Sequence, residues 1–155
     1  MTGEPKVGTT RAFDSVCIGD ELPPLVLPMD RTFILATAIA SRDYFEGHHD
    51  PDIAIQKGSK DIFMNILTSN GLVGRFVTDW AGPDALLKRV SIRLGAPNYP
   101  GDTMTITGKV TGKDHAGATV DVELVGANSM GNHVTGTVRV RLPRAADEAG
   151  AGVVR

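Results

Sequence analysis

The 155-residue chain has a single cysteine, Cys17, so it can form no internal disulfide and no cysteine-based zinc cage. No apolar run reaches membrane-spanning length or heads a secretory signal, which points to a cytoplasmic protein with no membrane partner. Aromatic residues make up only 5% and the formal net charge is -2. The chain therefore offers neither the stacking platform nor the basic patch that a nucleic-acid partner would need. Internal repeats at solenoid spacing and low-complexity linkers are also missing, which leaves one domain of ordinary globular composition, 41% apolar. By composition, residues 1–21 form an N-terminal extension, mobile at its polar start, 22–143 the folded domain and 144–155 a mobile tail.

Within the domain the apolar period is helical at first. Thr32 could cap a helix through Phe33, Ile34, Ala38 and Ile39 to about Ser41. Ser59 could cap a second, longer one, with Asp61 in its first turn and Ile62, Phe63, Ile66, Leu67, Val73, Phe76 and Val77 at helical spacing up to Gly82-Pro83. Gly71 and Gly74 inside it each cost about 1 kcal/mol relative to Ala, which suggests another backbone passing close by. After Pro83 the period becomes two: Val90-Ile92-Leu94, Met104-Ile106, Val120-Val122-Leu124 and Val138-Val140-Leu142 each alternate with polar residues. Turn residues separate them, and the pattern predicts an antiparallel meander. An α+β single hot-dog fold follows, a long central helix wrapped by a curled antiparallel sheet whose open edges favour oligomers.

The chemistry concentrates between the helices. Asp43 and His48 stand five residues apart in one loop, and a carboxylate and an imidazole so placed can share a water for general acid–base addition to a double bond. The bland alternative is a turn-capping Asp and a hydrogen-bonded loop His. His48, His49, Asp50 and Asp52 do not suggest a metal site, because adjacent loop histidines point apart and no second ligand cluster exists. Asn65 either points into the site or bonds a neighbouring strand or subunit; Ser59 reads as a cap rather than a nucleophile. Tyr44 and Phe45 line either an acyl pocket or an interface, and Trp80 fills a helix–sheet junction. Lys57, Lys60, Lys88 and Arg89 are candidates for a phosphate-bearing ligand or ordinary solvated charges, and His115 and His133 receive no role.

Asp43, His48, the downstream Gly58 and the Pro100-Gly101-Asp102-Thr103 turn resemble the MaoC-like, or (R)-specific, enoyl-CoA hydratases. That pattern has an Asp, an Asn-Pro pair, a His five residues after the Asp, and a Gly amide for the thioester oxygen; here Phe45 and Glu46 replace the Asn-Pro pair. Three blocks carry a narrower resemblance: Arg42-Asp43 with His48-His49-Asp50, Gly58 to Ile66, and Val77 to Pro83. From about Leu22 to Leu142 they resemble the small subunits of two-subunit steroid hydratases of bacterial cholesterol side-chain degradation. The resemblance implies hydration of a steroid enoyl-CoA of the 3-oxo-4,17-pregnadiene-20-carboxyl-CoA type. It implies Asp43 and His48 as catalytic residues and the Gly58 N–H as oxyanion donor; Asn65, Tyr44, Phe45 and Ser59, on the reading of the residues above, are the candidate substrate contacts beside them. It also implies a larger MaoC-like partner, in a heterodimer or heterotetramer, and no cofactor, coenzyme A being part of the substrate. A homodimeric linear-chain hydratase, a hot-dog thioesterase and a non-catalytic assembly subunit are the alternatives.

Overall fold

A computed structural model describes residues 9–145; most of the expected C-terminal tail 144–155, and the polar start of the N-terminal extension, residues 1–8, lie outside them. The element order is β1 (Glu21–Pro28), α1 (Arg31–Ala40), α2 (Pro51–Gln56), α3 (Ile66–Ala81), β2 (Leu86–Leu94), β3 (Thr103–Asp114), β4 (Thr119–Asn128) and β5 (Gly131–Arg141), with single-turn helices at Phe13–Ser15 and Glu46–His48. All strand pairs are antiparallel, in the order β1-β3-β4-β5-β2.

The inward residues of the sheet, among them Met104, Ile106, Val110, Val120, Val122, Leu124, Val138 and Val140, are buried. They form one core with Val73, Phe76, Val77 and Trp80, the stripe of α3 that repeats every three to four residues. A long helix on an antiparallel sheet is the predicted hot-dog architecture. Only β3, β4 and β5 form a meander, however: β2 pairs with the far side of β5, so the chain crosses over between β2 and β3. Strand β1 was not legible, because Pro23, Pro24 and Pro28 disguise it; they are tolerated because β1 is an edge strand.

The helix boundaries also differ from expectation. Asp30, not Thr32, caps α1, its side chain accepting from the Phe33 N–H. Asn65, not Ser59, caps α3, accepting from the Thr68 N–H at 3.0 Å. Residues 59–64 instead run as a connector anchored elsewhere, the Phe63 N–H donating to Gly47 O and the Met64 N–H to Asn98 O. Asp61 accordingly pairs with Arg31. The two helix glycines do not admit a passing backbone: a Cβ at Gly71 would meet nothing, and one at Gly74 only the Leu87 side chain.

The described part of the N-terminal extension is packed. Phe13 and Val16 are in the core, the Arg11 N–H donates to Ala81 O and the Phe13 N–H to Pro143 O. The Lys113 ammonium sits 4.2 Å from the Phe13 ring centre and donates to the carbonyls of Phe13 and Val16.

Candidate active site

The end of α1 aims the first catalytic candidate. Ser41 caps the helix, Arg42 adopts a left-handed φ of 58°, and the N–H groups of Arg42 and Asp43 donate back to the Ile39 and Ala38 carbonyls. This termination usually takes glycine at the left-handed position. An arginine there carries backbone strain, here located directly beside Asp43.

His48 arrives from the single turn Glu46–His48. Its Nδ1 lies 2.7 Å from the Phe63 carbonyl oxygen. A carbonyl only accepts, so Nδ1 carries a hydrogen, and the other ring nitrogen, Nε2, faces Asp43 Oδ2, 3.4 Å away. His48 is buried, whereas the Asp43 side chain is a quarter exposed. Phe45 and Phe63 hold the imidazole edge-on, with ring centres 5.3 and 4.9 Å from it. The loop is strapped by Lys57, which pairs with Glu46 at 3.1 Å and lies over the Phe45 ring. A hydrogen bond from Glu46's own backbone N–H to its carboxylate, then Lys57, holds the Glu46 carboxyl below its usual range.

Asn65 joins this pair from the head of α3. Its Nδ2 donates to Ser41 Oγ at 2.8 Å and to Asp43 Oδ2 at 3.1 Å, while its Oδ1 caps the helix. Asp43, Phe45, His48, Phe63, Asn65 and Ile66 border an open cleft of about 310 Å³, closed behind by the segment Leu94 to Pro97 and by His133. Among the described residues no cluster of three His, Cys, Asp or Glu side chains could hold a metal ion, and no helix is long and apolar enough to cross a membrane.

Asp43, His48, Asn65 and Phe45 thus come together, and three expected site residues do not join them. Gly58 is not at the head of the long helix: with φ 91° it follows α2, its N–H already donated to Ile55 O at 2.9 Å. Ser59 donates to Asp61 O and meets the Tyr99 hydroxyl, outside the cleft lining. Tyr44 is exposed and also outside that lining. Of the cationic candidates, Lys57 is committed to Glu46 and Lys60 lies over Tyr99. Sequence reasoning missed Phe63, whose carbonyl orients His48, and His133, which was given no role. The signal for His133 in the sequence is its place directly before Val134, the first apolar residue of β5.

An acid–base pair beside the first turn of a long helix is equipment for adding water to a conjugated thioester. No family model matches the chain. It is 53% identical over 125 residues, 81% of this chain and 95% of the relative, to the 3-oxo-4,17-pregnadiene-20-carboxyl-CoA hydratase beta subunit of Mycobacterium tuberculosis. The structure superposes on a chain of the ChsH1-ChsH2 complex from Mycobacterium tuberculosis with a TM-score of 0.79 at 51% identity, covering 81% of this chain and 98% of that one. It also superposes on a MaoC-like dehydratase, TM-score 0.79 at 27% identity, covering 88% of this chain and 43% of that one. With the loop pair, the capped helix and that identity in hand, the chain belongs to the MaoC-like hot-dog hydratases.

Proposed function

We propose that this chain is the beta-type subunit of a two-subunit hydratase that adds water across the α,β double bond of a steroid side-chain enoyl-CoA, 3-oxo-4,17-pregnadiene-20-carboxyl-CoA. The observation that carries the reading is the Asp43–His48 pair at 3.4 Å in an open cleft, in a chain 53% identical to the beta subunit of such an enzyme. Asp43 and Nε2 of His48 hold a water between them. The pair accepts a proton as the water oxygen bonds to the β-carbon, and the π electrons move through the α-carbon onto the thioester oxygen. The enolate then takes a proton from the pair at the α-carbon, which restores the thioester. The Asn65 and Ile66 N–H groups, at the cap and first position of α3, lie outside the intrahelical ladder and border the cleft. They replace Gly58 as donors to the developing oxyanion, helped by the helix dipole.

Two features favour a partner. The cleft is open, and Phe45, Ile66 and Leu94 beside it are exposed, so a bulky steroid is enclosed only when a second surface covers it. The β1 edge is blunted by three prolines, whereas the β2 edge carries no proline and has Leu86, Leu87 and Leu94 exposed. The larger MaoC-like subunit therefore pairs along β2. A thioesterase carboxylate on the central helix has no counterpart: the one acid of α3, Asp79, lies near its far end, exposed and paired with Arg75. Because the substrate is a CoA thioester, this reading carries a cytoplasmic location with it.

The test is hydration of the steroid enoyl-CoA and of crotonyl-CoA by this chain alone and with the larger subunit. Steroid turnover that needs the partner and falls about 10²–10⁴-fold in Asp43→Asn and His48→Ala is expected. Crotonyl-CoA turnover by the chain alone would sink the steroid reading in favour of a linear-chain hydratase.

A further inference from the structure

His133 takes no part in that chemistry, yet it is only 2% exposed, stands in the wall of the catalytic cleft, and has both ring nitrogens engaged. Its placement comes from a β-bulge. Gly126 pairs with Val134 and Ala127 with Asn132, so His133 is the extra residue on β5. A bulge re-aims one side chain against the strand's alternation, and here His133 and Val134 are both buried. The ring Nδ1 lies 2.7 Å from Ala96 O and the Nε2 2.8 Å from Ser69 Oγ. The carbonyl keeps the hydrogen on Nδ1, and burial lowers the imidazole's pKa, so in the neutral ring Nε2 accepts the Ser69 hydroxyl hydrogen. Ser69, buried one turn into α3, has its N–H and Oγ 3.2 and 3.1 Å from the Asn65 carbonyl oxygen. Asn65 grips Asp43 through Nδ2.

We propose that His133 is a positioning residue for the hydration: from β5 it fixes, through Ser69, the first turn of α3, and with it the direction from which Asn65 holds the Asp43 carboxylate. The proposal rests on the assignment of Asp43 as a catalytic residue. An apolar side chain would fill the same space without the cost of burying a ring with two polar atoms. Two directed bonds to different elements, the 95–98 connector and α3, do what bulk alone does not: they hold the helix head in register with the sheet.

In the complete two-subunit enzyme, Ser69→Ala, His133→Leu, the double variant and His133→Gln are compared with wild type and Asp43→Asn for kcat and KM on the steroid enoyl-CoA. Thermal unfolding reports the fold. The expected result is a kcat about ten- to a hundredfold lower in Ser69→Ala and in His133→Leu with KM changed by less than about twofold, the range that small misplacements of a reacting group produce. The double variant is no worse than the singles, because both break one chain, and His133→Gln, whose amide reaches Ser69, recovers part of the loss. If His133→Leu does not fold, Ser69→Ala, which removes one hydroxyl, carries the test with His133→Gln. Unchanged kcat in the single variants beside a dead Asp43→Asn would overturn the proposal alone. So would additive losses that follow the folded fraction. Full turnover in Asp43→Asn would overturn the site assignment and the proposal with it.

Discussion

Asn65 performs two tasks with one amide, and two substitutions separate them. The side-chain oxygen caps α3 and the nitrogen holds Asp43, with the residue only 1% exposed. Asn65→Ala removes both. Loss of the cap costs about 1 kcal/mol, and loss of a donor to a charged acceptor about 2 kcal/mol. The sum lowers the melting temperature by roughly 10 °C for a chain of this size. Asn65→Asp keeps the cap, since Asp and Asn are equivalent there and the helix dipole favours the charge. It also sets a second carboxylate 3.1 Å from Asp43 Oδ2, a repulsion of about 5 kcal/mol at an effective dielectric constant of 20. That repulsion is relieved when the two carboxylates share a proton or move apart, and either outcome removes the free carboxylate from the water site. Near neutral pH, Asn65→Asp therefore retains a capped helix and loses hydration more severely than Asn65→Ala, although it carries the smaller atomic change. Circular dichroism melts and the decay of the enoyl-thioester absorbance measure the two effects. Wild-type turnover in Asn65→Asp would refute the placement of Asn65 against the catalytic carboxylate.

His133 also sets a pH dependence of stability. Its folded-state pKa is lowered from 6.5 by burial, so below that value the unfolded chain binds the proton more readily and stability falls as pH falls through the depressed folded value. Denaturant midpoints should drop on acidification below 6.5 more for wild type than for His133→Gln; equal slopes would contradict this. Arg42→Gly removes a left-handed non-glycine residue and should stabilise by about 1 kcal/mol, read as a higher melting temperature. Gly136→Ala places a Cβ 2.3 Å from Ser91 O and 3.1 Å from Ile92 Cα, which neither backbone can yield without parting β2 from β5. A loss of about 1–3 kcal/mol and faster amide exchange along β2 are expected. Phe13→Ala empties a fully buried position and should cost about 3–5 kcal/mol in chemical denaturation; a loss below 1 kcal/mol would show that the segment is not part of the core.

The pairing of Asp43 with His48 is legible because the two lie close in sequence, and the sheet because period-two alternation survives in β2 to β5. The head of α3 was misread for a local reason: Ser59 followed by Asp61 and an apolar run imitates a helix start. The real start at Asn65 depends on Gly47 and Asn98 carbonyls that claim the preceding N–H groups, partners far away in sequence. The proposed oxyanion donors follow it, from Gly58 to the first turn of α3. Asn65 carried two readings, and the structure gives its side chain to Asp43 and Ser41. The bulge that turns His133 inward was invisible because it exists only in the register of β5 against β4. A single strand shows its own alternation but not where its neighbour skips a residue.

The packed segment around Phe13 has a consequence for how the molecule can be handled. Its N–H bond to Pro143 and the Ala145 N–H bond to Asp14 lay the two ends of the described chain side by side, against Ala81 at the C-terminal end of α3. The proposed catalytic residues gather at the other end of that helix, whose 16 residues span about 24 Å. Both ends of the described chain, near residues 9 and 145, therefore lie at the pole opposite the proposed site. A fluorophore, an affinity handle or a peptide link joining the two ends can be attached there while the cleft stays open to its substrate.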